Sequence, residues 1–313
     1  MRVIVTGGAG FIGSVIARRL VAAGGEVFIV DNLSTGLKSN VAQGAELIVA
    51  DVADPASLKQ LPGGAFDAVI HMAAQSSGAI GQKNPYADMQ TNVGATVLLS
   101  RWCLDRGVSR FLFPSSMNVY GHGTAEFVDE GAPTRPIGYY GASKLASENY
   151  LRLAADEGLK VTCFRIYNAY GAGQNLGNRY QGMISIYLAY LLDRVPVPVT
   201  GDLDRYRDFV HVDDIAAAFE LALHRNGTPS HVYNIGVGRK VTVREVLRLL
   251  VEQMDFPADY PVEEQAGSAG DVFGSVANFS RAQNELGWTP RVALEPGLAD
   301  MVAWAKQQPW PQQ

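Results

Sequence analysis

Cysteine is scarce here: Cys103 and Cys163 are the only two, far apart, each inside an apolar stretch. That excludes a disulfide scaffold and offers no zinc-site spacing, so both read as buried small hydrophobes. No run approaches the roughly 18 apolar residues that a membrane-crossing helix requires. Blocks of like charge are missing too, and a formal net charge of -5 argues against nucleic acid or an anionic membrane surface as partner. The start, Met1-Arg2-Val3-Ile4-Val5-Thr6, runs straight into glycines and is too short an apolar run for a secretory signal. The expected compartment is therefore the cytoplasm. Internal repeats and low-complexity segments are likewise lacking, and the Gln307–Gln313 tail is expected to fray.

What is present is the balance of a globular protein, 47% hydrophobic and 18% charged, over a length that allows one large core or two closely packed domains. Short β-branched runs alternate with helical patterns through the first half. Strands are expected at Arg2–Thr6, Glu26–Asp31, Glu46–Ala50, Ala68–Met72, Phe111–Pro114 and Lys160–Ile166. Helices are expected at Ile12–Ala23, Tyr86–Arg106 and Tyr140–Glu157. Runs such as Val27-Phe28-Ile29-Val30 have no polar alternation, as strands buried on both faces require. The expected fold class is α/β: a Rossmann-type, doubly wound parallel sheet with a smaller mixed α/β substrate domain. Residues 1–167 form the first domain and 168–313 the second, with strands near 208–211 and 232–235 returning to the first. Further helices are expected at Arg179–Leu192, Val212–His224, Val243–Gln253 and Leu294–Gln307, and Phe256–Gly270 reads as a polar stretch.

Thr6-Gly7-Gly8-Ala9-Gly10-Phe11-Ile12-Gly13 follows the first strand and opens the first helix. One glycine permits the tight turn, one lets the backbone approach a pyrophosphate, and one allows close helix-to-strand packing. The pyrophosphate would rest on the N–H groups of the helix starting near Phe11. Asp31 ends the second strand, where its carboxylate suits the two ribose hydroxyls of an adenosine and repels a 2′-phosphate. The cofactor expected is NAD. Asp51, beside Val52, suits either an adenine amino group or the cap of the next helix. His71 is expected to be a packed, hydrogen-bonded residue, and Met72-Ala73-Ala74 keeps the strand end small beside the cofactor.

Tyr140 and Lys144 stand four apart on a predicted helix and so share a face. A tyrosine is a poor base near neutral pH; a nearby ammonium and a cationic nicotinamide ring would favour its phenolate. Ser115 and Ser116 end the fifth strand, at the sheet edge where open α/β folds bind ligands. One of these hydroxyls is expected to relay a proton or hold the substrate oxygen.

These segments resemble the extended short-chain dehydrogenase/reductases, and within them the UDP-glucose 4-epimerase-like enzymes. The resemblance spans nearly the whole chain: TGGAGFIGS at 6–14, DNLSTG at 31–36, HMAAQ at 71–75, TNVGAT at 91–96, PSSMNVYG at 114–121, YGASK at 140–144, FRIYNAYG at 164–171, RDFVHVDD at 207–214 and YNIG at 233–236. It implies a catalytic triad of Ser116, Tyr140 and Lys144, with Lys144 also holding the nicotinamide ribose. It adds Asn32, Ser34, Thr35, Gly36 and Gln75 to the dinucleotide contacts and places Tyr167 by the nicotinamide amide. Asn92 would support the active-site helix and cofactor, Asn168 would contact the sugar nucleotide, and Arg207 would reach its diphosphate. No metal is implied, and a homodimer through the Tyr86–Arg106 and Tyr140–Glu157 helices is. The implied reaction is NAD-dependent epimerisation of a nucleotide sugar at C4, through a transient keto sugar. Alternatives are another NDP-sugar epimerase or reductase of the family, or an inactive NAD-binding protein.

The chain departs from the family pattern in places. Dehydratase relatives carry Asp-Glu where Met117 and Asn118 stand, which disfavours that chemistry. Ser268-Ala269-Gly270-Asp271 lacks a diphosphate-binding arginine, for which Arg205 is a candidate substitute. Ser275 stands where a larger residue limits the sugar pocket, so a bulkier N-acetylated or uronic sugar is expected to fit. The segment Ser76–Gln82 also differs from the usual substrate loop.

Overall fold

A computed structural model describes residues 1–122, 126–225, 231–267 and 273–309. Seven strands form one parallel sheet in the order Val232–Ile235, Lys160–Ile166, Arg110–Ser116, Ala68–His71, Arg2–Thr6, Glu26–Asp31, Glu46–Val49. The chain builds outward from the first strand through the second and third. It then crosses back to lay the fourth on the first strand's other side. That reversal leaves a crevice at the carboxyl ends, the usual ligand position in open α/β sheets. Register brings Thr6 opposite both Val30 and His71, and Ser116 opposite Ile166, so these strand ends share one edge.

The apolar strand runs bury both faces of the sheet. Helices Phe11–Ala22 and Val212–His224 cover one face, with Ile16, Leu20, Ile215 and Phe219 in its core. Arg19 joins those two helices through paired bonds to Glu220 of 2.8 and 2.7 Å. Ala95–Arg106 and Tyr139–Asp156 cover the other face through Leu99, Cys103, Leu151 and Ala154. A third apolar cluster joins helices Met183–Leu192, Val243–Gln253 and Leu294–Lys306.

Several elements differ from expectation for identifiable reasons. Val232–Ile235 pairs with Lys160–Ile166, whereas Phe209–His211 pairs with Asn168–Tyr170 outside the large sheet. Tyr86–Arg106 is not one continuous α-helix: Pro85–Met89 leads into a π turn, Gln90–Gly94, before Ala95–Arg106. Ser76–Gln82 falls mostly on a short helix, Gly78–Lys83, capped by the Ser77 hydroxyl, which accepts from the Ile80 N–H. Val197–Thr200 pairs in parallel with Val262–Gln265, so part of the polar Phe256–Gly270 stretch is a strand. Of the tail, residues 310–313 lie outside the described residues. No helix among the described residues is long and apolar enough to cross a membrane.

Candidate active site

The crevice over the strand ends is a cleft of about 890 Å³. Gly7, Gly10, Phe11, Ile12 and Gly13 line one side. Gly7 turns the chain at φ 65°, and a Cβ there would lie 2.5 Å from the Ala73 nitrogen. A Cβ on Gly13 would lie 2.3 Å from the Gly7 carbonyl oxygen, so the helix packs on the turn only through glycine. The Phe11–Ala22 helix begins at Gly10 with no side-chain cap, leaving its first N–H groups to face the cleft. This uncapped cradle fits a pyrophosphate.

Asp31 is buried where the second strand meets the cleft. Its carboxylate accepts N–H bonds from Ala9 at 3.0 Å and Leu33 at 2.8 Å, and so ties the glycine turn to the following loop. Asn32, Ser34, Thr35, Gly36, Asp51, Val52, Met72, Ala73 and Ala74 also line the cleft. Asp51 does not cap the next helix. That helix, Pro55–Gln60, is capped by Asp54, and Asp51 instead accepts from Ala53 N–H and Asn32 Nδ2. His71 is buried, its Nδ1 2.8 Å from the Thr6 hydroxyl, and burial with the nearby Lys144 charge pushes it down to about 3. It is a neutral packing residue.

Gln75 and Asn92 are not among the described lining residues: Asn92 is buried, and the Gln75 side-chain amide is taken up by Ser77 and Asp88. The Asn92 amide accepts from Gln75 N–H and donates to the Gln75 carbonyl, both at 2.9 Å, and also reaches the Ser143 hydroxyl at 3.0 Å. The π turn exposes the Asn92 carbonyl, which accepts from Thr96 and Ser147 hydroxyls. Asn92 thus braces the Tyr139–Asp156 helix rather than touching the cleft.

Strand alternation separates the two serines. Both line the cleft, but the Ser115 hydroxyl donates to the buried Glu148, whereas Ser116 lies within hydrogen-bond reach of Tyr140. Tyr140 and Lys144 both line the cleft, Lys144 buried with Nζ 4.6 Å from the centre of the Phe113 ring. Burial pushes the Tyr140 hydroxyl up to about 12, opposed by its hydrogen bond with Ser116 and reinforced by Asp88. The phenolate is thus not favoured by the protein groups alone. Burial draws Lys144 down to about 8, against the pull of Asp88, Cys163 and Glu148.

Tyr167, Asn168 and Arg207 line the far side. The buried Tyr167 hydroxyl faces that of Ser275 without a well-formed bond, and burial raises it far above the usual tyrosine range. Asn168 donates to the Asp208 carbonyl at 3.1 Å, and Arg207 to the Tyr206 and Phe273 carbonyls at 2.8 and 3.2 Å. Asp208, fully buried, accepts from the N–H groups of Val237, Gly238 and Ala277 and anchors that strand. Neither Arg205 nor Ser275 is among the described lining residues: Ser275 is packed behind Tyr167. Ser268 to Asp271 lie outside the described residues.

Sequence reading missed a polar wall formed by Gln174, Asn175, Asn178, Tyr180 and Gln181, facing Gln82 and Lys83. The glycines at 171–177 were its only signal. Among the described residues no cluster of His, Cys, Asp and Glu could hold a metal.

Residues 3–236 match the sequence model of the NAD dependent epimerase/dehydratase family. A UDP-glucose 4-epimerase from Corynebacterium glutamicum is 33% identical over 304 residues, 93% of this chain and 91% of that protein. The crystal structure of a UDP-glucose 4-epimerase with UDP-glucose from Thermotoga maritima superposes with a TM-score of 0.92 at 34% identity, covering 98% of this chain and 99% of the other. A UDP-N-acetylglucosamine 4-epimerase from Methanobrevibacter ruminantium, in complex with UDP-N-acetylmuramic acid, gives 0.90 at 27% identity, covering 97% and 98%. Motifs, sheet order and cleft agree with these matches, and the chain belongs to the NAD dependent epimerase/dehydratase family.

Proposed function

We propose that the protein is an NAD-dependent 4-epimerase of UDP-hexoses, with N-acetylated or uronic sugars among its substrates. The carrying observation is that Ser116, Tyr140 and Lys144 open onto the same cleft as the glycine cradle and Arg207. The bound dinucleotide supplies the hydride acceptor, and later the donor, for a sugar carbon. Tyr140 takes the proton from the sugar hydroxyl, with Ser116 sharing that hydrogen bond. Lys144 supplies positive charge beside Tyr140, offsetting part of the burial that opposes its phenolate. Asp31 binds the adenosine ribose, and Arg207 and Asn168 bind the nucleotide sugar. The transient keto sugar turns in the cleft, and Tyr140 returns the proton once the other face is presented.

Met117 and Asn118 line the cleft beside Ser116, and neither exchanges a proton as water elimination would require. The exposed Tyr86, Met89, Tyr150 and Leu153 on the Pro85–Arg106 and Tyr139–Asp156 segments support a homodimer.

The test is incubation with UDP-glucose, UDP-galactose, UDP-N-acetylglucosamine and UDP-glucuronate, followed by NMR of the products. Inversion at C4 without net NADH is the expected result. A 4-keto-6-deoxy product would sink the reading in favour of a dehydratase. A monomeric mass by light scattering would reject the dimer.

A further inference from the structure

Beneath the cleft lies a buried ion pair, Glu148 with Arg165, neither of which is among the described lining residues, and Ser115, which is, bonds to it. Glu148 and Arg165 keep 6% and 7% of their side-chain surface and form two parallel bonds, Nε to Oε1 at 3.0 Å and the terminal nitrogen to Oε2 at 2.7 Å. Isolated charges at such depth are strongly disfavoured, so each residue fixes the other's position. The Ser115 hydroxyl donates to the same Glu148 oxygen. Arg165 donates to the Glu130 carbonyl at 3.3 Å and stacks over Tyr120, whose hydroxyl donates to Asn234 at 2.7 Å.

The elements joined at this point are those that carry the chemistry. Ser115 precedes Ser116 on its strand. Glu148 lies one helical turn beyond Lys144 and two beyond Tyr140, on the same helix face. Arg165 is the penultimate residue of the strand that leads directly into Tyr167 and Asn168. We infer that Glu148, locked by Arg165, is a positioning residue that sets Ser116, Tyr140 and Lys144 relative to one another. The inference rests on the epimerase reading of the cleft.

Glu148 also bears on the charge of Lys144. Facing it are Tyr140 and Glu148 from its own helix, Asp88 from Pro85–Met89, His71 from Ala68–His71, and Cys163 from Lys160–Ile166. His71 is neutral above about 3 and the Cys163 thiol is held protonated by burial, so near neutral pH only Asp88 and Glu148 contribute negative charge. Removing the Glu148 charge therefore lowers the pH at which Lys144 is discharged.

Two variants test this, each assayed as kcat, KM and pH profile per folded, dinucleotide-loaded molecule. Glu148→Gln keeps an oxygen for Ser115 but loses the charge. Glu148→Leu with Arg165→Met removes both charges together, which avoids stranding the arginine. Expected for both is a kcat lower by roughly tenfold to a hundredfold, KM for the sugar nucleotide within about twofold of the parent, and activity levelling off at lower pH. Glu148→Asp keeps the charge but shortens the side chain by one methylene, and should return the pH profile toward that of the parent more than kcat. If either charge-free variant, once folded, keeps the parent's kcat and pH profile, the pair only stabilises the fold and the inference is overturned. If the unmodified protein does not epimerise any UDP-hexose, the failure belongs to the reading of the cleft instead.

Discussion

Lys144 stands one helical turn from Tyr140, yet its nitrogen lies 5.9 Å from the centre of the Tyr140 ring and only 4.6 Å from that of Phe113. The lysine is therefore a buried cation lying between two rings. Burial discourages charge on both residues, raising Tyr140 to about 12 and lowering Lys144 to about 8. The reactive form, phenolate beside ammonium, is thus a minor one whose population depends on both.

Its pH dependence has a definite sign. As pH rises, Tyr140 must lose a proton, so the reactive form grows. Once Lys144 begins to discharge, the neutral-lysine form grows equally and the gain stops. Activity should therefore rise with pH and level off at or below about 8, the bound nicotinamide cation moving that point downward. Initial rates between about pH 6 and pH 10 check this. Tyr140→Phe should lower kcat by roughly 10²- to 10⁴-fold at every pH while dinucleotide stays bound. Full activity in that variant would remove Tyr140 as the base.

The glycine cradle predicts a contrast between two alanine substitutions. Gly13→Ala places a methyl group 2.3 Å from the Gly7 carbonyl oxygen, so helix and turn must separate. Overpacking of this kind costs about 1–3 kcal/mol and should also expel the dinucleotide, read as a fall in absorbance near 260 nm relative to protein. Gly94→Ala meets nothing within 4 Å and sits at a helical φ of -58°. It should keep both cofactor and melting temperature. Equal behaviour of the two would contradict the packing role of Gly13.

His71 ties acid stability to the strand end beside the cleft. Its pKa falls from an ordinary value near 6.5 to about 3 through burial and the Lys144 charge. The unfolded chain therefore binds a proton at this site before the folded one does. The contribution is fully present above about 6.5 and is lost as pH falls from there toward about 3. Denaturant midpoints for the parent should decline through that window, and His71→Gln should flatten part of the decline. An unchanged slope would mean that His71 is not the group responsible.

Much of this arrangement was legible because each element follows from one dominant force. Val27-Phe28-Ile29-Val30 must be buried on both faces, and Tyr140 with Lys144 must share a face whatever surrounds them. Asn92 illustrates the limit. Its residue type suits a cofactor contact, but its amide is consumed by the Gln75 backbone, a pairing set by how a π turn meets a loop. Val197–Thr200 is another element the sequence does not announce: it is an edge strand that contains Pro198, and proline is tolerated only where no ladder N–H is needed. Asp54 displaced Asp51 as helix cap because Pro55 fixes the helix start one residue later.

Asp31 makes the sharpest remaining test because two roles meet in one carboxylate. One oxygen accepts from Ala9 and the other from Leu33, a non-glycine residue held at φ 56°. The same charge should exclude a 2′-phosphate. Asp31→Asn keeps one accepting oxygen and cancels the charge. Loss of a hydrogen bond to a charged group is worth about 1.5–3 kcal/mol, so NAD affinity should fall by roughly tenfold to a hundredfold. NADP affinity should fall less, or rise, since its repulsion is gone. Titrating cofactor-free protein with each dinucleotide separates the two roles. A change in the NADP-to-NAD ratio assigns discrimination to the carboxylate charge. Equal weakening of both would place the whole effect in the loop around Leu33, and Asp31 would then shape the cofactor site without selecting its occupant.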